Sequence, residues 1–159
     1  SSDLLALCNW QTLRTLSTEL VEKKLSKRIS QDARDRLEWH REQGHRLVLI
    51  TATVMPMAQA MADHLGMDAV YGCGPEDMTG IMSGSEKGWS VPRRKGKVPV
   101  VQSDADSVGH NLADCWGYGN THADSFFMSI TGNPVAVNAE GGLKSLAKEN
   151  GWTQFEWRV

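Results

Sequence analysis

Cysteine is scarce: Cys8, Cys73 and Cys115 are an odd number with no Cys-x-x-Cys spacing. That excludes a disulfide framework and a zinc knuckle, and it fits a reducing, cytoplasmic setting. Long apolar runs are missing as well. The longest, residues 4–8, falls far short of the roughly 20 residues that cross a bilayer, so no membrane partner is expected. Neither sign of charge dominates: 17 Lys and Arg against 19 Asp and Glu leave a formal net charge of −2. A polycation that coats nucleic acid is therefore excluded. No basic flank precedes the first leucines, so no signal peptide is readable, and an opening Ser in place of Met reads as processing, tagging or truncation. Internal repeats and low-complexity segments are absent.

What remains is 159 residues, 40% hydrophobic, enough for one domain of ordinary size. Residues 3–28 carry Leu4, Leu5, Cys8, Leu13, Leu16, Leu20 and Leu25 at mostly three- and four-residue steps, which predicts an amphipathic helix. Ser30 reads as the N-cap of a second helix that Gly44 ends. Residues 46–51 read as a strand, with 47–50 apolar at consecutive positions, as a strand covered on both faces requires. A helix from Thr53 is expected to bury Val54, Met57, Met61 and Leu65 before Gly66. Short strands follow at 69–71, 115–119, 134–138 and 154–157, with helices at 122–130 and 143–150. A turn-rich hairpin or flap occupies 72–88. Strands alternating with helices predict an α/β fold, a Rossmann-like doubly wound, mostly parallel sheet.

Ligands of such sheets sit at the carboxyl ends of the strands. One strand end delivers Thr51, Ala52 and Thr53 into a helix start, where a hydroxyl and free N–H groups can bind an anion, or Thr53 simply caps the helix. Another delivers Gly119-Asn120-Thr121-His122-Ala123-Asp124. There Asn120 and Asp124 can converge on a hard cation, or cap the helix that follows. The basic run from Arg93 to Lys97 reads as a solvated loop. Gly72-Cys73-Gly74 has only part of a dinucleotide fingerprint, since Asp77 stands where a third glycine belongs. The five histidines show no ligand spacing, and the tryptophans read as packing.

A hydroxyl after one strand, then a lysine, then Gly-Asn-Thr-x-x-Asp resembles the haloacid dehalogenase superfamily of phosphatases. The likeness is to the phosphoserine-phosphatase-like subfamily IB, and it runs from about Arg36 to Arg158. It includes the stretch from Gly44 to Thr53, then Thr79-Gly80, Gly96-Lys97-Val98, the Tyr118 to Asp124 motif, and Asn133 to Asn138 with Leu143. The resemblance implies that Thr51 and Lys97 are catalytic, with Thr51, Ala52, Thr53 and Lys97 holding the phosphoryl group of a small phosphorylated substrate. It implies that Asn120 and Asp124 help bind magnesium (Mg2+), and it leaves Lys95 as the alternative to Lys97 at the phosphoryl group. It also assigns residues 1–29 to a remnant of a helical cap and 30–159 to the core.

Members of that family open with a strand ending in Asp-x-Asp, whose first Asp is the nucleophile. Nothing before Thr51 supplies it. The one Asp-x-Asp here, Asp104-Ala105-Asp106, follows residues 98–103, which read either as a permuted first strand or as a helix, the helix being preferred. The expectation is a phosphomonoesterase core that is inactive alone, binds magnesium weakly or not at all, and needs a complementary N-terminal segment or self-association. A catalytically silent interaction domain and an unrelated nucleotide-binding α/β domain are the alternatives.

Overall fold

The computed structural model describes residues 10–74 and 92–158, which form two compact units, one up to Val91 and one from Pro92 to Arg158. The expected flap, the Thr79-Gly80 pair and the leucines before Trp10 lie outside the described residues.

In the first unit, α1 spans Trp10–Lys23, α2 Gln31–Glu42 and α3 Met55–Leu65, with β1 at Val48–Val54 and β2 at Ala69–Cys73. Ser30 caps α2 as expected, its hydroxyl accepting the Ala33 N–H at 3.1 Å. Gly66 ends α3 in the left-handed region, at φ +68°. Two expectations are corrected. The buried stripe of α1 is Trp10, Ser17 and Val21, while Leu16 and Leu20 are exposed. The helix is thus turned to bury the indole, the largest apolar surface on it. In α3 the buried positions are Pro56, Ala58, Ala60 and Ala62, with Met57, Met61 and Leu65 only half-buried. α3 packs against α1 as well as against both strands, and small side chains allow that approach on more than one side.

β1 and β2 pair in parallel, Val48 opposite Ala69 and Ile50 opposite Tyr71, with a register shift before Val54 meets Cys73. Gly72 is needed for packing. A Cβ there would lie 3.0 Å from the Thr53 carbonyl oxygen and 2.9 Å from the Ala58 methyl. Gly72 and Cys73 are therefore strand residues, not the phosphate loop of a dinucleotide site.

The second unit holds α4 at Lys97–Ser107, β3 at Trp116–Gly119, α5 at Ser125–Met128, β4 at Asn133–Val137, α6 at Gly141–Asn150 and β5 at Thr153–Phe155. Its three strands are parallel in the order β3-β4-β5. Met128, Ala136, Leu143 and Ala147 form the core, with α5 and α6 laid on the sheet. The α/β class and parallel pairing are as expected. The helix expected over 122–130 is shorter, a 3₁₀ turn at His122–Asp124 followed by one turn of α5.

His40 is buried near the end of α2, one imidazole donating to the other across a 2.8 Å Nδ1–Nδ1 contact with His45. Burial, then the charges of Arg36 and His45, push its pKa down to about 4. The folded chain thus resists a proton that the unfolded chain takes up near the ordinary value of 6.5. Stability from this site is complete above about pH 6.5 and declines as pH falls toward 4. Urea titrations across that window should show the decline, and His40→Phe should flatten it. An unchanged slope in the variant would place the acid sensitivity elsewhere.

Candidate functional site

The carboxyl end of β3 builds the densest polar arrangement of the second unit. The chain leaves the strand at Gly119 and turns so that the Asp124 carboxylate points back at it. Asp124 Oδ2 accepts the N–H groups of Asn120 at 3.2 Å and Thr121 at 3.4 Å. Asp124 Oδ1 accepts from Lys97 Nζ at 2.8 Å. Gly119 permits this closure, since a Cβ on it would overlap Asp124 Cβ and lie 2.7 Å from Met128 Sδ. Lys97 is the first residue of α4, and its ammonium also lies 5.6 Å from the Phe127 ring centre.

The Lys97 and Asp124 side chains are only 14% and 12% exposed. Desolvation on that scale takes the pair out of the surface class, whose members contribute about 0–1 kcal/mol. A mostly buried pair need not add net stability, yet losing one partner strands the other charge. The capping reading of Asp124 holds, and the carboxylate that closes the turn also holds the lysine.

That geometry bears on magnesium. Phosphatases of the family that this motif resembles are generally magnesium-dependent. Here both Asp124 oxygens are engaged by an ammonium and two N–H groups. Asn120 is exposed and adds only a neutral amide oxygen. Among the described residues no group of three or more His, Cys, Asp or Glu is arranged around a metal position. The described residues therefore do not fit a magnesium site by themselves.

Thr51, Ala52 and Thr53 belong to the first unit. The expected helix start at Thr53 is corrected: β1 continues to Val54, which is the N-cap, and α3 begins at Met55. Three β-branched residues among positions 51–54 favour the extended chain, and Pro56, lacking an N–H, fits only a helix's first turn. The Thr53 N–H donates to Thr51 Oγ1 at 3.1 Å, and the Thr51 hydroxyl donates to Thr53 Oγ1 at 3.0 Å. Ala52 and Thr53 are exposed and Thr51 is half-buried.

The Asp-x-Asp stretch is settled by α4. Asp104 is buried and Asp106 exposed on a helix, so they diverge as helical neighbours two apart must, and no strand presents them together. Nor is there a substitute thiol nucleophile in Cys115: burial, then Asp114 and Asp104, push its pKa up. Phe126 and Phe127 were not singled out by the sequence. Their only signal was two adjacent aromatics just after the motif.

A model of the haloacid dehalogenase-like hydrolases matches residues 4–128. The chain belongs to that family. A phosphoserine phosphatase of Mycobacterium tuberculosis is 31% identical over 147 residues, covering 92% of this chain and 47% of that protein. A hydrolase of Mycobacterium leprae is 30% identical, covering 94% of this chain and 49% of that one. The chain thus spans about half the length of the curated relatives it matches. Among solved structures, a Bordetella pertussis protein of unknown function superimposes with a TM-score of 0.85 at 24% identity, over 97% of this chain and 70% of that one. A substrate-bound phosphoserine phosphatase gives 0.62 at 21% identity, over 87% of this chain and 70% of that one. These likenesses confirm the α/β fold.

Asp124→Ala should destabilise the chain by about 3 kcal/mol, because it strands the Lys97 ammonium and two N–H donors. Pairing it with Lys97→Met should recover a large part of that loss. Urea denaturation of the two variants decides the matter. A single-variant cost below about 1 kcal/mol would show the pair to be no more than a surface contact.

Proposed function

We propose that the chain is part of a phosphoserine-phosphatase-like phosphomonoesterase of subfamily IB, in which Thr51 and Lys97 bind the phosphoryl group of a small phosphorylated substrate. The observation that carries this reading is the buried Lys97–Asp124 pair at the carboxyl end of a parallel strand, closed by Gly119. A lysine held by one N–H at 2.8 Å from Asp124 keeps its remaining donors for an incoming anion. At Thr51 the oxygen is fixed by accepting the Thr53 N–H, so its proton can pass from Thr53 Oγ1 to a phosphoryl oxygen by a hydroxyl rotation. Ala52 and Thr53 supply the exposed strand-end backbone beside it. In this reading the chain alone holds magnesium weakly or not at all, with Asn120 as its remaining oxygen donor near Asp124.

The Asp nucleophile is supplied in this reading by a strand that these 159 residues do not contain. Among the described residues β1 pairs only with β2, and β3 only with β4, so each strand keeps one open edge. Open parallel edges expose N–H and C=O groups that another strand can satisfy. The partner is a complementary N-terminal segment or, failing that, a second copy of the chain, and the setting is the cytoplasm. No helix among the described residues is long and apolar enough to cross a membrane.

The chain should not hydrolyse p-nitrophenyl phosphate, since the covalent route needs a nucleophile. Extension by an N-terminal strand carrying Asp-x-Asp should produce magnesium-dependent hydrolysis. Lys97→Ala in that extended form should lower kcat by roughly 10²–10³, the scale for losing one preorganised electrostatic group. An extended protein that binds phosphate and never hydrolyses the ester would instead identify a silent binding domain.

A further inference from the structure

The tryptophans read in sequence as packing, yet two of them line a cavity of the second unit that the phosphoryl reading leaves unused. β3, β4 and β5 are parallel and begin at Trp116, Asn133 and Thr153, so their amino ends share one edge of the sheet. That edge lies opposite the one that carries Gly119 to Asp124. A cavity of about 400 Å³ opens there, lined by Trp116 and Trp152 together with Ser129, Thr131, Asn133 and Asn150. Small-molecule sites run from roughly 300 to 1,000 Å³.

The backbone fixes both indoles. Gly151 ends α6 in the left-handed region at φ +66°, and the Trp152 N–H then donates to the Ala147 carbonyl at 2.9 Å. This turn packs Trp152 against the core of Met128, Ala136, Leu143 and Ala147. Trp116 is half-buried at the first position of β3, opposite Asn133 in register. A Cβ on Gly132 would overlap the Ala113 carbonyl, so the turn into β4 is pressed onto the chain that leads into β3.

The polar side chains spend their donors on the main chain. Ser129 Oγ donates to the Phe126 carbonyl at 3.0 Å, and Thr131 Oγ1 to that of Met128 at 2.7 Å. Asn133 Nδ2 donates to the Cys115 carbonyl at 3.3 Å, and Asn150 Nδ2 to that of Leu146 at 2.9 Å. Each hydroxyl has thereby used its only proton, and each amide keeps its oxygen as an acceptor. The carboxyl end of α6, the negative pole of its dipole, adds Asn150 and Gly151 to the same rim. Among the described residues, none that lines the cavity carries a formal charge. Acceptor oxygens, a helix carboxyl end and two indoles all favour positive charge without neutralising it. A hard metal ion needs carboxylates or a full oxygen shell, and a bare ammonium is strongly hydrated. An alkylated ammonium has neither requirement.

We propose that this cavity binds a weakly hydrated organic cation, an ammonium ion carrying alkyl groups, against the indoles of Trp116 and Trp152. The site lies at the sheet edge opposite Asn120 and Asp124, and it does not rest on the phosphoryl reading.

Three probes test it on the 159-residue chain: choline, 3,3-dimethylbutan-1-ol and glucose, each titrated while the tryptophan indole N–H signals are followed by NMR. The first two share one shape, a quaternary carbon in the alcohol replacing the charged nitrogen. Choline should shift the Trp116 and Trp152 signals along one saturable curve and bind about tenfold more tightly than the alcohol. Trp116→Leu should weaken choline about tenfold, and Trp116→Phe should restore part of that loss. Trp152 also packs on the core, so the two Trp116 variants, checked for folding by circular dichroism, carry the mutational test. Equal affinity for choline and the alcohol would reveal a merely apolar cavity and overturn the proposal. Glucose moving these signals while choline leaves them still would overturn it in favour of a neutral polyol site. A choline curve that Trp116→Leu leaves unchanged, or no saturable shift with choline at all, would overturn it as well. Each of these results leaves the phosphoryl reading standing.

Discussion

A carboxylate facing an ammonium, with little water around either, organises the second unit. Asp124 draws the chain after β3 into a tight turn by accepting two backbone N–H groups, and it draws α4 toward that turn through Lys97. Gly119 is the steric condition for the arrangement, because any side chain there would occupy the space of Asp124 and Met128. The apolar side of the same segment then follows: Met128 is fully buried among Ala136, Leu143 and Ala147. A charged group with three donors can be buried at acceptable cost. The same three donors leave it with little to offer a metal, which separates holding the lysine from coordinating a cation.

Parallel strands explain why each sheet carries a motif. A parallel ladder needs crossovers, and each crossover places a helix start next to a strand end. Thr51 lies midway along β1, which ends at Val54, while Asn120 and Asp124 follow β3. The register shift in β1 frees residues 51–53 from regular pairing with β2, so the Thr51 and Thr53 hydroxyls satisfy each other instead. The Thr53 N–H fixes the Thr51 oxygen, while the two hydroxyl protons remain free to turn toward a ligand.

Much of this was legible in the residues. Consecutive apolar positions marked β1, Ser30 marked the start of α2, and Gly66 its counterpart at the end of α3. The helix over Lys97–Ser107 was favoured over a strand because the family resemblance places a helix between the lysine and the last motif, with Pro99 acceptable in a first turn, and the structure agrees. The rotation of α1 was not legible, since Leu13, Leu16 and Leu20 make as good a stripe as Trp10, Ser17 and Val21 until α3 is there to choose. The alanines of α3 escaped for a related reason: periodicity weights large side chains, whereas a helix packed on more than one side selects small ones. At the site, the residue types were readable but their division of labour was not. Only coordinates show that Asp124 faces a lysine.

The central claim is that the lysine held by Asp124 stays free to engage an anion. Amide chemical-shift mapping of the 159-residue chain, titrated with inorganic phosphate, tests it directly. The account predicts that Lys97, Asn120 and Thr121 shift along the same binding curve with one dissociation constant. Shifts confined to Arg93, Arg94 and Lys95 would contradict it.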